Sequence, residues 1–368
     1  MWMKDTIYRP NQISLIQAIS LMIVVLSLTL HVEVIPELFD EAGRDAWVSI
    51  LLLIPIVIFL WWLIILVIKW MGNQSLISNI TSRWLRIPIM GLVEIYLILS
   101  MIKSLKTWAL FNVITFLPGA PPALLALLLL FTAVWIARGG LQTVAITVGF
   151  LLPFIIFFGF FNTFSTLPMK DYGLVFPIWE HGIAPTFRGV FRLLPDFGDF
   201  FLLFFFAHWM EPPSSFRFRP WFITCLIIFM IALGVVMGLL AEFGPNEVIH
   251  LRFPAYEGWR LVTFGPGFER LSYLAIFQWT AGLTGRLLLL LAIGGELLGG
   301  IKRTPFAIYV VASFVFLGCL IPLNIAAMQF FSSALNLYAL LVQVFVTFIF
   351  LVMGVYLKKR RGSVIQHA

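Results

Sequence analysis

The sequence predicts an all-α integral membrane protein with ten transmembrane helices, and three observations carry that expectation. Hydrophobic residues make up 61% of the 368 positions, charged residues make up 11%, and the mean hydropathy is +1.02. Soluble domains do not reach such a balance, so the bilayer is the expected solvent. The apolar residues gather into ten runs, at about 12–36, 47–70, 86–106, 122–138, 142–164, 187–209, 220–241, 267–298, 305–324 and 334–357. Most approach the ~20 residues that cross a hydrocarbon core at ~1.5 Å per residue. None shows the ~10-residue apolar–polar alternation of a barrel, and helices then remain as the backbone form that satisfies its own hydrogen bonds in lipid.

The runs differ in what interrupts them. The first, QISLIQAISLMIVVLSLTLHVEVIP, carries a polar cluster of Ser27, Thr29, His31 and Glu33 and stops at Pro36. The second follows EAGRDAWVSILL at 41–52, where Asp45 is expected to cap a helix, because a carboxylate suits the positive N-terminal end. The third holds one charge, Glu94, in GLVEIYLIL, and the eighth holds Arg286 beside Gly285 and a leucine-rich stretch. Glu296, near the inner end of the eighth, is expected to pair with Lys302 and Arg303. Segments 165–186 and 242–266 are rich in Pro, Gly and aromatics, and short helices on the outer rim are expected there.

The sixth run is the one around which the rest is organised. FRGVFRLLPDFGDFFLLFFFAHW contains Pro195, Asp196, Phe197, Gly198 and Asp199 at its centre. Proline lacks the N–H that a helix interior needs, and glycine is cheap to unwind. Freed backbone groups and carboxylates do not face lipid, so this centre is expected to be a break lining a wet cavity. Asp196 and Asp199 are three apart and share a helix face, which suits a cation, an ammonium group or a proton, or else a pairing with Arg188 or Arg192 at the rim. Phe197 is placed to wall such a pocket, and Gly198 to let a ligand approach the backbone.

Charge sets the orientation. An even number of spans puts both termini on one side, and the tail at 358–361, Lys-Lys-Arg-Arg, marks that side as the cytoplasm. Lys69, Arg83, Arg86, Arg138, Arg217 and Arg219 fall on the same side, while most acids fall outside. The net charge of +7 is therefore a topology signal and not a nucleic-acid surface. Cys225 and Cys319 lie in apolar runs and offer neither a disulfide framework nor a metal site. No nucleophile elbow, zinc-protease helix or phosphate loop appears, so neither an enzyme nor a cofactor is expected.

Ten spans also divide into two halves of five, about 12–164 and 187–357, within one domain over 1–368. Each half opens with an irregular helix, spans one and six, as in transporters built from an inverted repeat around a midplane site.

These residues resemble a family. The run EAGRDAWVSILL at 41–52, HVEVIP at 31–36, Gly198-Asp199 in span six, and Glu269-Arg270 through Gln278-Trp279 resemble the spore germination permease family. The resemblance covers essentially the whole chain. It implies membership of the amino acid–polyamine–organocation superfamily, with a LeuT-like five-plus-five fold and broken helices 1 and 6. It also implies the role of B subunit in a germinant receptor of the spore inner membrane, alongside an A-type membrane subunit and a C-type lipoprotein. Where the superfamily binds a substrate carboxylate on Gly-rich backbone in span one, this sequence has Thr29 and His31. Spans three and eight face each other in that fold, so Glu94 and Arg286 are expected to form a gate or proton-linked switch, or else a structural interior pair or two snorkelling side chains.

Two functions follow. One is a receptor subunit that binds a small-molecule germinant, an amino acid or similar solute, at Thr29, His31, Phe197, Gly198 and Asp199. The other is a proton-coupled secondary transporter of an amino acid or amine.

Overall fold

The computed structural model describes residues 12–72, 80, 82–211, 216–262 and 271–366, with the side chains of 301, 302 and 360–366 excepted. Glu269, Arg270, the Lys302 side chain and the end of the basic tail lie outside the described residues. The described residues are mostly helical, and among them the only extended pairing is a bridge between Ile13 and Met210.

Among the described residues, twelve α-helices follow in order: α1 (Leu15–Leu28), α2 (Ile35–Ala42), α3 (Ala46–Met71), α4 (Arg83–Thr115), α5 (Pro122–Ala137), α6 (Leu141–Ser165), α7 (Ala184–Gly198), α8 (Leu203–Phe206), α9 (Phe218–Val248), α10 (Pro254–Arg260), α11 (Tyr273–Leu320) and α12 (Ile325–Gln366). Among the described residues, eight helical stretches are long and apolar enough to cross a membrane: Leu15–Glu33, Ile35–Met71, Arg83–Thr115, Leu141–Ser165, Phe218–Val248, Tyr273–Gly300, Arg303–Leu320 and Ile325–Lys359. The expected fourth and sixth spans are absent from that set for physical reasons. α5 has 16 residues, which reach only ~24 Å at ~1.5 Å each. The sixth is divided into α7, α8 and the turns between and after them.

Local chemistry explains the irregular starts. Ser14 opens α1 with a capping box: its hydroxyl accepts from the Gln17 N–H (3.3 Å), and the Gln17 side chain accepts from the Ser14 N–H (2.9 Å). The helix then widens into a π turn over Thr29–Glu33, closed by Val34 N–H donating to Thr29 O at 3.0 Å. Pro36 sits in the first turn of α2, where no donor is missed. The expected cap by Asp45 does not form. Asp45 stands at the N-terminus of α3 without a side-chain cap bond, and its Oδ1 accepts instead from the Trp179 N–H at 2.9 Å. Arg44 pairs with Glu180 in the same loop. The 41–52 segment therefore fastens the outer loop to the bundle.

Span six departs from the expectation of an unwound centre. α7 runs helically through Pro195 to Gly198 (φ −66°, ψ −19°), and a 3₁₀ segment, Asp199–Leu202, carries it on to α8. The chain tightens there and does not open. Side chains from other helices serve carbonyls of this stretch: Gln343 of α12 donates to Pro195 O at 2.8 Å, and Trp61 of α3 donates to Phe197 O at 3.4 Å. With those groups satisfied, lipid-depth backbone has no reason to unwind.

The short outer helices expected at 165–186 and 242–266 are present as the turns Leu167–Met169 and Tyr172–Val175 and as α10. α11 bends at Gly300 (φ 61°), which separates its two spans. Leu287 through Leu291 of α11 are wholly buried, so this helix crosses the middle of the bundle. α6 shows the opposite pattern, with Phe150, Phe154, Phe157, Phe160 and Phe164 exposed along its length, as a lipid-facing helix requires.

Candidate ligand-binding site

The centre of the molecule is a satisfied charge pair. Asp199, 1% exposed, sets its Oδ2 2.9 Å from Arg286 Nη2 on α11. Its Oδ1 accepts from the Tyr96 hydroxyl on α4 and from Gln343 Nε2 at 3.1 Å on α12. Arg286 also donates to Ser100 Oγ (2.8 Å) and to Val25 O on α1 (3.2 Å). Four helices thus meet on two residues. Gly198 makes the approach possible, because a Cβ there would collide with the Gln343 amide oxygen.

Beside this pair lies a cavity lined by Thr29, Glu33, Tyr96, Ser100, Lys103, Pro195, Asp196, Arg286, Leu335, Asn336 and Ala339. Its volume is about 20 Å³, room for about one water molecule. The π turn at Thr29–Glu33 supplies one wall and the proline of α7 another.

A second charge layer covers the cavity. Glu37 of α2 accepts from Arg192 Nε (2.6 Å) on α7 and from the Ser332 hydroxyl (2.6 Å) on α12, with Lys103 Nζ at 3.9 Å. Arg192 Nη1 also donates to Asp196 Oδ2 at 3.0 Å. One turn farther out, Arg188 pairs with Glu41 at 3.1 Å. These are two rungs of one ladder between α2 and α7. Beyond the ladder opens a wider depression of about 390 Å³, lined in part by Asp40, Arg44, Glu180, His181, Arg188 and His250.

At the other end, Glu296 accepts from Trp209 Nε1 (2.8 Å) and lies 2.9 Å from His208 Nε2. Glu296 is thus clasped onto the end of span six; among the described residues it makes no ion pair with Arg303, and the expected partner Lys302 has its side chain outside them. Ile13 N–H donates to Trp209 O at 2.9 Å and ties the segment before α1 into the same clasp.

Of the residues expected to bind ligand, Thr29 lines the cavity, and Asp199 stands behind its wall, bonded to the lining residues Tyr96 and Arg286. Gly198 packs against Gln343. Phe197 is not among the residues lining this cavity: it is 1% exposed and stacks on Phe229, centroids 4.3 Å apart. His31 is half-buried on the π turn, outside the cavity lining, and its Nδ1 has no hydrogen-bond partner.

The expected contact between Glu94 and Arg286 is absent. Arg286 meets Ser100, six residues or ~9 Å along α4 from Glu94. Glu94 instead lies against Gly294, eight residues past Arg286 on α11, in the notch that a missing side chain leaves. Helices three and eight do touch, but these two charges are out of register, and Asp199 is the acid within reach.

Sequence reasoning missed Glu37, Lys103, Arg192, Tyr96 and Gln343 as parts of one site. Arg192 is expected at the rim from its place in span six. A signal for Lys103 existed: it stands inside LILSMIKSLKTWALF, where the apolar pattern continues past it.

The same architecture occurs in a solved transporter. A crystal structure of the Eremococcus coleocola manganese transporter, in complex with an aromatic bis-isothiourea substituted compound, superposes with a TM-score of 0.59. The match covers 91% of this chain and 76% of that one at 16% sequence identity, so it speaks for the fold. Spore germination protein XB of Bacillus anthracis is 29% identical over 341 residues, which cover 90% of this chain and 94% of the relative. Spore germination protein GerQB of Bacillus cereus is 24% identical over 245 residues, 64% of this chain and 66% of that relative. The family profile described as spore germination protein matches residues 12–326, and over that length, with its helices arranged as in a transporter, the chain belongs to the spore germination protein family.

Proposed function

We propose that this protein is the germinant-binding membrane subunit of a spore germination receptor, with the germinant bound in the cavity beside Asp199 and Arg286. The observation that carries this reading is the cavity itself: charged and polar side chains from α1, α4, α7, α11 and α12 converge at the bundle centre, closed off by the Glu37–Arg192 layer. A structural core would be expected to fill that space with apolar side chains, which cost less to bury. The family assignment supports a role in germination.

The proposed assembly is ten spans in one domain, two inverted repeats of five, with both termini in the cytoplasm and the protein in the spore inner membrane. Its proposed partners are an A-type membrane subunit and a C-type lipoprotein. A germinant, an amino acid or similar small molecule, opens the Glu37–Arg192 layer, and the movement of α2 and α7 passes to those partners.

The test is a spore strain that lacks this chain. It should lose its response to one class of germinant, read as the fall in optical density of a spore suspension. Wild-type protein should restore the response, and Arg286→Gln should not. Undiminished germination without the chain, across amino acids, sugars and nucleosides, would sink the proposal.

The transporter fold also fits the second reading, a proton-coupled secondary transporter, because fold does not fix function. Accumulation of a radiolabelled amino acid in proteoliposomes under a proton gradient separates the two.

A further inference from the structure

We infer that the loop between α6 and α7, residues 166–183, rests in the interface of the outer leaflet, with its apolar side chains against lipid and its charges turned to the bundle. This holds whatever the central cavity binds.

The loop has the polarity of a membrane-surface segment and not of a connector in water. Leu167, Met169, Phe176, Ile178, Trp179 and Ile183 are each 39–59% exposed. Single exposed apolar residues are ordinary, but a connector that presents them along its whole length marks a surface that something covers. The charged residues are drawn the other way. Lys170 pairs with Glu242 of α9 at 3.3 Å, and both side chains are only 4% exposed. Asp171 accepts from the Gly173 N–H (2.8 Å), and its own N–H donates to Ala241 O (2.9 Å). Glu180 pairs with Arg44, just ahead of α3. Thr166 and Val175 are buried and hold the loop down between these ties.

Two observations identify the cover as lipid. The loop leaves and rejoins the bundle on lipid-facing helices: Phe160 and Phe164 are exposed at the end of α6, and Phe187 and Phe191 at the start of α7. Its apolar residues thus continue a surface that already faces acyl chains. The second observation is Trp179, the one residue other than glycine with a positive φ (55°) among those described. That conformation is costly for a bulky side chain and persists only where the surroundings impose it. Here the Trp179 N–H donates to Asp45 Oδ1 and the Gly182 N–H to Trp179 O, both at 2.9 Å. The backbone is fastened to the buried Asp45 while the residue stays exposed. Tryptophan takes that place in the aromatic belt, with its ring at headgroup level. A protein partner would meet a rim of available charges, whereas Lys170, Asp171 and Glu180 are already committed. Glu180 and His181 follow Trp179 and line the wide outer depression, so the depth at which Trp179 rests positions one wall of it.

The experiment uses the full chain in lipid nanodiscs, in a Cys225→Ala, Cys319→Ala background. Leu167→Cys, Phe176→Cys, Trp179→Cys and His181→Cys each carry a nitroxide, with Phe160→Cys as the lipid-facing reference. Collision with oxygen, which enters lipid, is compared with collision with a water-soluble nickel chelate. The oxygen-to-chelate ratio at 167, 176 and 179 should be at least threefold higher than at 181. Three lipid-side positions cover the case in which one variant does not fold. A ratio at 176 and 179 no higher than at 181 would overturn the inference and place the loop in water. Exclusion of both reagents at 179, with dipolar broadening between labels, would overturn it in favour of a second copy of the chain. Water-like ratios in nanodiscs, with Trp179→Cys protected from a thiol reagent in native membranes, would overturn it in favour of a partner protein.

Discussion

Asp199 and Arg286 lie 87 residues apart in sequence and 2.9 Å apart in the bundle, and their contact joins the 3₁₀ segment after α7 to the middle of α11. Removing one partner from such a pair leaves an uncompensated buried charge, worth ~3–5 kcal/mol. Asp199→Asn and Arg286→Gln should each lower the unfolding midpoint of the purified protein. The double variant should be more stable than the sum of the two predicts. Glu94→Gln combined with Arg286→Gln should be additive within ~0.5 kcal/mol, because those residues share no contact. Coupling in the second pair and none in the first would reverse the assignment.

Gly198 is held against Gln343, so Gly198→Ala should cost ~1–3 kcal/mol by forcing the amide away from Pro195 O and Asp199. Shortening the partner should relieve the clash. Gly198→Ala with Gln343→Ala should therefore cost less than the two singles added together, as measured by chemical denaturation. Strict additivity would mean that the backbone there has room to move.

The Glu37–Arg192 rung closes the cavity toward the wider outer depression. Glu37→Gln weakens the bonds to Arg192 and the attraction of Lys103 together. A loss of ~1.4 kcal/mol from the closed arrangement would raise the open fraction about tenfold. In a Cys225→Ala, Cys319→Ala background, Thr29→Cys should then react about that much faster with a thiol reagent supplied from the side of the depression. An unchanged rate would place the entrance elsewhere.

Topology gives a direct check on orientation. Cysteines at Asp171 and Glu257 should be labelled by an impermeant reagent from outside. Cysteines at Arg83 and Lys359 should be labelled only after the membrane is opened. The reverse pattern at either pair would require a different number of spans.

The sequence alone was enough to establish a helical membrane protein, because lipid excludes unpaired backbone and the apolar runs have the length of the bilayer. It also located both irregular starts, since Pro36, Pro195 and Gly198 act on their own neighbours. It could not say that the Pro195–Asp199 stretch tightens into a 3₁₀ turn in place of opening. That outcome depends on Gln343 and Trp61, which arrive from helices far away in sequence to bond the carbonyls of Pro195 and Phe197. Nor could spacing choose the partner of Arg286. Glu94, Asp196 and Asp199 are all acids in apolar runs, and only the axial register of α4 against α11 puts Ser100, not Glu94, beside the guanidinium. Arg192 reads as a rim charge for the same reason. Position along a helix is a local property, whereas the face and depth at which a side chain meets another helix are set by close packing among all of them.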